Sequence, residues 1–312
     1  MTNLSILGDI SEEQFLAEYW QKKPLLVKQA ITDFQPPING NELAGLSLEP
    51  EVESRLVIGN DWQIEHGPFE ENRFQSLPDH DWTLLVQAVD IWVPEVAGIL
   101  EKFSFLPRWR IDDIMVSYAA NGGSVGPHFD NYDVFLLQGE GQRQWSVGGF
   151  CDHTSPLLPN PNLRILADEI FSQQWTLNCG DMLYLPPKYS HHGVAIGECT
   201  TYSVGFRAPT ATEMLDDLTT ELISKAYNND ILRDPELTAS MANQPISNAY
   251  LEQIRLLLNN TLNDDDLLLN WFAQFMTRPK YPELADDTGE HRQAIIETPL
   301  GNKTTYQNGE SQ

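Results

Sequence analysis

The spacing of apolar residues changes along the chain and divides it into three parts. Near the N-terminus and beyond residue 209, apolar residues repeat at helical spacing, whereas the middle part consists of short apolar runs separated by Gly, Pro, Asn and Asp. Short runs with polar turns between them predict the strands of a β-sandwich or barrel. The runs are 114–118, 133–137, 144–147, 175–177, 182–185, 194–196 and 202–206. We therefore expect a mainly β core with helices on both sides of it in the sequence.

The N-terminal part predicts helices and one strand. Ser11 and Gln14 can form a capping box at the start of a helix, and Pro24 ends that helix before a strand at 25–27. Residues 80–105 also place apolar side chains on one helical face, which predicts a second helix. These elements should precede the β core and pack against it.

The C-terminal part predicts three helices and a polar tail. A capping box at Thr210 and Glu213 begins the first helix, and a second covers 247–258. Three acids at 264–266 suit the positive end of a third helix dipole. After about 279 few apolar residues remain, so we expect a linker or frayed tail. The helices can pack on the β core or pair with a second subunit, and their apolar stripes fit both arrangements.

Composition narrows the classes of function. The 312 residues include 19 Lys and Arg against 45 Asp and Glu, for a formal net charge of −26. This charge argues against direct binding to nucleic acid or to anionic membranes, both of which require basic residues. Hydrophobic residues make up 41% of the chain, which is enough for a sizeable core. Attraction to a basic partner remains open.

Cysteine use and the first residues indicate a cytoplasmic protein. The three cysteines form no CxxC pair, so a disulfide framework or a thiolate zinc site is not expected. The first ten residues lack the basic and apolar regions of a signal peptide, and no apolar stretch approaches the ~18–20 residues of a membrane span.

A candidate metal site begins in residues 122–130 (GGSVGPHFD). On a strand, residues two apart point to the same side, so the side chains of His128 and Asp130 would converge. They would supply two of the three ligands of a 2-His-1-carboxylate site, which suits Fe(II). Roughly one His-x-acid pair is expected by chance in a chain of this composition. Taken alone, His128 is therefore more simply interpreted as a surface or hydrogen-bonded histidine.

The third ligand is expected from residues 180–192 (GDMLYLPPKYSHH). Both segments resemble, in the right order, the two motifs of the cupin superfamily, although Lys188 stands where many cupins have glycine. His191 and His192 are adjacent and point to opposite faces of a strand, so only one can reach the metal. The spacing from Pro186 favours His191, which leaves His192 beside the site or facing solvent.

Arg143 is the candidate anchor for an anionic cosubstrate. It follows a turn and begins a predicted strand. A guanidinium buried in a barrel needs an anionic partner, and the 5-carboxylate of 2-oxoglutarate would supply one. The alternative is a turn residue in a surface ion pair, and spacing alone fits both interpretations.

Longer stretches of the chain resemble the Jumonji-C-type, cupin-like ribosomal oxygenases, a family that includes bacterial arginine hydroxylases of a large-subunit ribosomal protein. The similarity runs almost continuously from about residue 20 to 209. The stretches that carry it are YWQKKPLLVK (19–28), SRL (54–56), GPF (67–69), WTLLVQAV (82–89), WRIDD (109–113), GPHFDNYDVF (126–135) and YSVGFRAP (202–209).

The resemblance implies a double-stranded β-helix (jelly roll) that uses Fe(II) with 2-oxoglutarate and O₂ as cosubstrates. It implies His128, Asp130 and His191 as catalytic metal ligands and Arg143 as the 2-oxoglutarate anchor. It also implies a catalytic domain over 1–209, a helical homodimerisation region over 210–278 and a tail over 279–312. The tail is too short for the winged-helix domain that normally follows, so that domain is expected to be absent or truncated.

The implied activity is hydroxylation of an arginine on a basic ribosomal protein. Asp112, Asp113 and Asp133 flank the metal motif and are candidates for attracting that protein, although acids beside strands usually form only a solvated edge. Three alternatives remain: hydroxylation of histidine or demethylation of another basic protein, a non-oxidative metal-binding cupin, and an interaction scaffold without activity.

Overall fold

The computed structural model describes residues 5–159, 162–168, 170–225, 231–235, 245–284, 292–297 and 303–312. The chain divides into two compact units, Met1–Ala208 and Pro209–Gln312. Within the described residues, no helix is long and apolar enough to cross a membrane.

The first unit is built mainly from strands. Its helices are α1 (Glu12–Glu18), α2 (Gly40–Leu46), α3 (Glu71–Gln75) and α4 (Pro94–Ala97). Its strands are β1 (Leu25–Val27), β2 (Ser54–Ile58), β3 (Gln63–His66), β4 (Trp82–Val86), β5 (Ile111–Ala119), β6 (Val134–Gln138), β7 (Gln142–Phe150), β8 (Phe171–Asn178), β9 (Met182–Leu185), β10 (Tyr189–Ile196) and β11 (Cys199–Phe206).

In the described part of this unit the strands form two antiparallel sheets. The larger has the order β1-β9-β6-β11-β5-β4-β2-β3, and the smaller has the order β10-β7-β8. Apolar side chains from both sheets pack together between them, including Leu136 and Leu183 from the larger and Trp145, Val147 and Leu177 from the smaller. This two-sheet arrangement has the form of the jelly roll that the sequence predicts.

The predicted first helix is α1. The Ser11 hydroxyl accepts a hydrogen bond from the backbone N–H of Gln14, which caps the helix. Phe15 is fully buried and packs against Phe135 and Tyr184. The helix therefore anchors the N-terminal segment on the larger sheet, and the predicted strand follows as β1.

The helix predicted over 80–105 is wrong at its start. Residues 82–86 form β4, which pairs with β2 and β5 inside the larger sheet. Four consecutive residues of this strand are buried, because both of its faces are covered. A continuous apolar run of this kind does not distinguish strand from helix by periodicity. Beyond it the chain forms separate short helical segments, at Val89–Ile91, in α4 and at Gly98–Phe103, so the single helix predicted over 80–105 is wrong.

The second unit contains the three predicted helices. They are α5 (Ala211–Ser224), α6 (Asn248–Leu262) and α7 (Asp265–Thr277). The capping box of Thr210 and Glu213 is present at α5, and Asp264 caps α7 by accepting a hydrogen bond from Leu267 N–H.

The expected polar tail is wrong for residues 293–311. They form the strands β12 (Gln293–Glu297), β13 (Lys303–Gln307) and β14 (Glu310–Ser311). Alternate residues of β12 are buried, so Ala294 and Ile296 lie inside while Gln293, Ile295 and Glu297 face solvent. The apolar residues of β12 are few within a stretch of polar residues, so the average composition of 293–311 hides the strands. Residues 285–291 and 298–302 of the expected tail lie outside the described residues.

Candidate metal centre

Backbone hydrogen bonds bring the two motif segments together. His128 N–H donates to His191 O at 3.0 Å, and His191 N–H donates to His128 O at 2.8 Å. Lys188 N–H donates to Asp130 O at 2.6 Å. The segment of His128 and Asp130 is therefore held against β10 by an isolated bridge, and it is not the regular strand that the sequence predicts.

Three side chains converge at this bridge. One ligand atom from each of His128, Asp130 and His191 lies within 4.8 Å of the others. His191 Nε2 is 3.6 Å from Asp130 Oδ2, and the two imidazole ring centroids are 4.3 Å apart. Across the described residues this is the one group of three or more His, Cys, Asp or Glu side chains with metal-binding spacing. Two imidazoles and a carboxylate form the donor set typical of a non-haem Fe(II) site.

Backbone carbonyls orient both imidazoles. His128 Nδ1 lies 2.9 Å from Gly126 O, and His191 Nδ1 lies 2.9 Å from Tyr189 O. In each ring the Nδ1–H donates to the carbonyl, which leaves the Nε2 lone pair for a metal. Burial, together with the nearby His128, lowers the pKa of His191 to about 4. His191 is therefore neutral at neutral pH, which is the form that binds metal.

His192 points away from this cluster. Its Nε2 lies 3.0 Å from the hydroxyl oxygen of Ser124, and its ring contacts that of Phe171 at 6.2 Å between centroids. The alternation of side chains along β10 thus separates the two adjacent histidines, and the structure brings His191 into the cluster.

Arg143 lies on the buried face of β7. Its side chain shares this face with those of Trp145 and Val147, and Val147 is opposite His191 in the strand register. Arg143 is 3% exposed, and its Nε and Nη2 atoms have no hydrogen-bond partner among the described residues. The alternative of a surface ion pair is therefore wrong, because the guanidinium is inside the unit. A buried cation with unpaired N–H groups fits an anion such as a carboxylate.

Two of the acids that flank the metal motif are buried, and the third lies beside an arginine. Asp133 is fully buried and accepts hydrogen bonds from Tyr184 Oη at 2.6 Å and Gln21 Nε2 at 3.0 Å. The hypothesis that Asp133 attracts substrate at the mouth is therefore wrong. The same hypothesis is wrong for Asp113, which is 5% exposed and accepts hydrogen bonds from Gln87 Nε2 and Ala88 N–H. Asp112 is partly exposed and lies 3.3 Å from Arg207 Nε.

Sequence reasoning missed Tyr132. The charge of the nearby Asp130, together with partial burial, raises the pKa of the Tyr132 phenol, although the side chain is 40% exposed. The phenol therefore stays neutral and can orient the carboxylate. Its position two residues after Asp130 was the available signal, since such residues share a side in extended chain.

Comparison with known proteins identifies the family. A model described as "JmjC domain" matches residues 98–214. The chain is 36% identical over 275 residues to the ribosomal protein uL16 3-hydroxylase of Escherichia coli strain K12, covering 86% of this chain and 71% of that protein. The chain belongs to the JmjC ribosomal oxygenase family. A second member, the probable ribosomal oxygenase of Haemophilus influenzae, is 39% identical over 249 residues, covering 78% of this chain and 59% of that protein.

Solved structures of this oxygenase family share the fold. The X-ray structure of E. coli YcfD matches 97% of this chain and 86% of its own, with a TM-score of 0.85 and 32% identity. A structure of YcfD described as a ribosomal oxygenase in complex with cobalt and 2-oxoglutarate matches 97% of this chain and 85% of its own, with a TM-score of 0.82 and 31% identity. The predicted family and cupin-like fold class are confirmed.

Proposed function

We propose that this chain is an Fe(II)- and 2-oxoglutarate-dependent dioxygenase that hydroxylates an arginine of the large-subunit ribosomal protein uL16. The observation that carries the proposal is the convergence of His128, Asp130 and His191 beside a buried arginine with unpaired N–H groups. The similarity to a relative named as a uL16 3-hydroxylase supports the substrate. A related structure that contains cobalt and 2-oxoglutarate supports the metal site and the cosubstrate.

The residues of the cluster fit a resident Fe(II). His128, Asp130 and His191 would hold it through two imidazole Nε2 atoms and one carboxylate, leaving further coordination positions open. Fe(II) bound there, with 2-oxoglutarate and O₂, supplies the oxidising power that converts a C–H bond into C–OH. The carbonyls of Gly126 and Tyr189 keep both ligands in the required tautomer.

Arg143 would bind the distal carboxylate of 2-oxoglutarate. Its unpaired Nε and Nη2 groups are two neighbouring donors, which suits a bidentate contact with a carboxylate. Trp145 and Val147 continue the same buried face toward His191 and keep water away from it. The cosubstrate would thus bridge Arg143 and the metal along β7.

The substrate is a basic polypeptide and the enzyme is strongly acidic. A net charge of −26 produces a long-range field that attracts a Lys- and Arg-rich ribosomal protein. This recruitment requires no binding to RNA, because free uL16 can be captured before assembly.

The second unit would form a homodimer through its helices. Every residue of α6 is at least partly exposed, and Leu251, Ile254 and Leu258, which share one helical face, are 42%, 41% and 61% exposed. A second copy would cover this face, and we assign dimerisation to 210–278 and catalysis to 1–209. Analytical ultracentrifugation should give twice the mass of the chain, and a monomer at micromolar concentration would contradict the assignment.

The same proposal places the enzyme in the cytoplasm, where a ribosomal protein is available before assembly. The free state of Cys151, Cys179 and Cys199 is consistent with a reducing compartment.

The test is hydroxylation of a uL16 peptide. Incubation of the protein with Fe(II), 2-oxoglutarate and O₂ should add the mass of one oxygen atom to the peptide, and omission of 2-oxoglutarate should abolish the change. The proposal fails if folded, metal-loaded protein modifies neither this peptide nor any other ribosomal protein.

Histidine hydroxylation is the second candidate. A segment of 81 residues is 37% identical to a Brugia malayi protein named as a bifunctional lysine-specific demethylase and histidyl-hydroxylase. Fragmentation of the modified peptide separates the candidates, because the added oxygen would lie on histidine instead of arginine. A non-oxidative cupin would instead consume no 2-oxoglutarate and would tolerate loss of Arg143.

A further inference from the structure

The segment that carries His128 is joined to β10 at two places by backbone hydrogen bonds. At its start, Gly122 N–H donates to Ala195 O at 3.0 Å, and Ala195 N–H donates to Gly123 O at 3.1 Å. At its end, His128 and His191 exchange the pair of bonds described above. Between these places the chain makes a loop over residues 124–127, and a side chain of β10 contacts the first residue of this loop.

That contact is made by His192, the histidine beside the metal ligand. Its Nε2 shares a hydrogen bond of 3.0 Å with the Ser124 hydroxyl. The same hydroxyl oxygen accepts a hydrogen bond from Gly126 N–H at 3.0 Å. The carbonyl of Gly126 in turn accepts from His128 Nδ1. A continuous chain of contacts therefore runs from His192 through Ser124 and Gly126 to the imidazole of His128.

The loop needs such a restraint. Gly122 has a φ of 77° and Gly126 a φ of 81°, a region that glycine enters freely. At Gly126 a Cβ atom would lie 2.6 Å from Ile165 Cδ1 and 2.9 Å from the Trp62 ring, so the tight packing also requires glycine there. Glycines give the loop its shape but do not fix it. The hydrogen bonds from His192 to Ser124 and from Gly126 N–H to Ser124 limit the rotation of the peptide unit that carries the Gly126 N–H. The Gly126 carbonyl belongs to the next peptide unit, and the close packing of Gly126 against Ile165 and Trp62 restricts rotation between the two units. The restraint therefore extends to the carbonyl that orients His128.

We propose that His192 and Ser124 are positioning residues that hold the Gly126 carbonyl, and through it His128, in the orientation needed for metal binding. This inference rests on the proposed metal site. Neither side chain belongs to the ligand cluster, so their effect is transmitted through the loop. Mutation of a group that hydrogen-bonds to a metal ligand typically lowers metal affinity or activity by about 10–100-fold. Ser124 and His192 lie one contact further from the ligand, so their loss should cost about tenfold, the lower end of this range.

The test measures Co(II) binding to the purified full chain, by calorimetry and by the visible absorption of bound Co(II). Ser124→Ala and His192→Ala should each weaken Co(II) binding by about tenfold and alter the Co(II) absorption band. The double variant should bind Co(II) about as tightly as the single variant with the larger loss, because both substitutions interrupt the same chain of contacts. His192→Gln retains an amide near the position of Nε2 and should restore most of the affinity.

Two controls separate positioning from a general loss of structure. His80→Ala replaces a histidine whose side chain is 65% exposed, and it should leave affinity and spectrum unchanged. Thermal unfolding of the apo variants should match that of the apo wild type. If His192→Ala folds poorly, Ser124→Ala and His192→Gln provide the same comparison.

The inference is contradicted if both alanine variants bind Co(II) like the wild type with the same spectrum, or if their effects multiply in the double variant. A wild-type protein that binds Co(II) but hydroxylates no ribosomal protein would refute the proposed function and leave the affinity comparison valid. A wild-type protein that does not bind Co(II) would refute both.

Discussion

At the scale of single residues, the sequence could predict which side chains approach each other but not how they are held. In extended chain, side chains two residues apart point to the same side, as those of His128 and Asp130 do. Adjacent side chains point to opposite sides, as those of His191 and His192 do. The bridge between His128 and His191 joins positions distant in sequence, so no local pattern reveals it. The burial of Arg143 likewise depends on the second sheet and could not be separated from a surface position.

Loss of a metal ligand should abolish metal binding. We expect His191→Ala and Asp130→Ala to lose Co(II) binding and turnover, whereas His192→Ala should still bind Co(II), although more weakly. Calorimetry with Co(II) measures the difference. Full activity in His191→Ala would show that the wrong histidine has been assigned.

Replacement of Arg143 should affect the cosubstrate and spare the metal. Arg143→Ala should raise the KM for 2-oxoglutarate at least about tenfold, because a charge-assisted hydrogen bond contributes about 1.5–3 kcal/mol. Arg143→Lys should recover only part of this effect, since an ammonium lacks the planar pair of donors.

The readout is 2-oxoglutarate turnover alongside Co(II) affinity. Arg73→Ala is the matched control, because this arginine pairs with Glu65 at the surface. An unchanged KM in Arg143→Ala would exclude Arg143 as the anchor.

At the scale of elements, periodicity predicts the amphipathic helices but misses a strand that is buried on both faces and the short strands after residue 292. The helices α1, α5 and α7 each have a polar side and recognisable caps, and all three were predicted. The strand β4 is buried on both faces, so its apolar run was taken for helix. The strands after residue 292 are short and alternate, so their average composition resembles a tail.

The packing of α1 predicts a large difference between two adjacent substitutions. Phe15→Ala should lower the free energy of unfolding by about 3–5 kcal/mol, because a fully buried ring leaves a cavity against Phe135 and Tyr184. Leu16→Ala is the control, since Leu16 is 40% exposed, and it should cost less than about 1 kcal/mol. Denaturant unfolding gives both values, and equal costs would contradict the packing of this helix.

At the scale of the whole molecule, the pattern of apolar residues predicts the fold, whereas the net charge predicts only the kind of partner. The two-sheet core follows from the pattern of short apolar runs, whereas the charge of −26 concerns the partner. The composition argues against nucleic acid and anionic membranes as ligands but could not identify the substrate, because attraction to a basic polypeptide is common to many acidic proteins. The site and the family relationship together supply the proposed reaction.

Substrate capture should depend on ionic strength. Raising the salt concentration to about 0.15 M shortens the Debye length to ~8 Å and screens the long-range attraction. The KM for the uL16 peptide should therefore rise with salt, while the KM for 2-oxoglutarate, bound at a buried arginine, should change much less. Steady-state kinetics over a salt series measures both, and a peptide KM independent of salt would exclude electrostatic recruitment.

Isotopically labelled O₂ tests the proposed hydroxylation of uL16 most directly, because the label shows where the oxygen atom goes. Full-length uL16 is incubated with the Fe(II)-loaded protein, 2-oxoglutarate and labelled O₂, and the product is fragmented in a mass spectrometer. We predict one labelled oxygen on an arginine side chain of uL16, and no label with His191→Ala. Unmodified uL16, or oxygen that comes from water, would contradict this prediction.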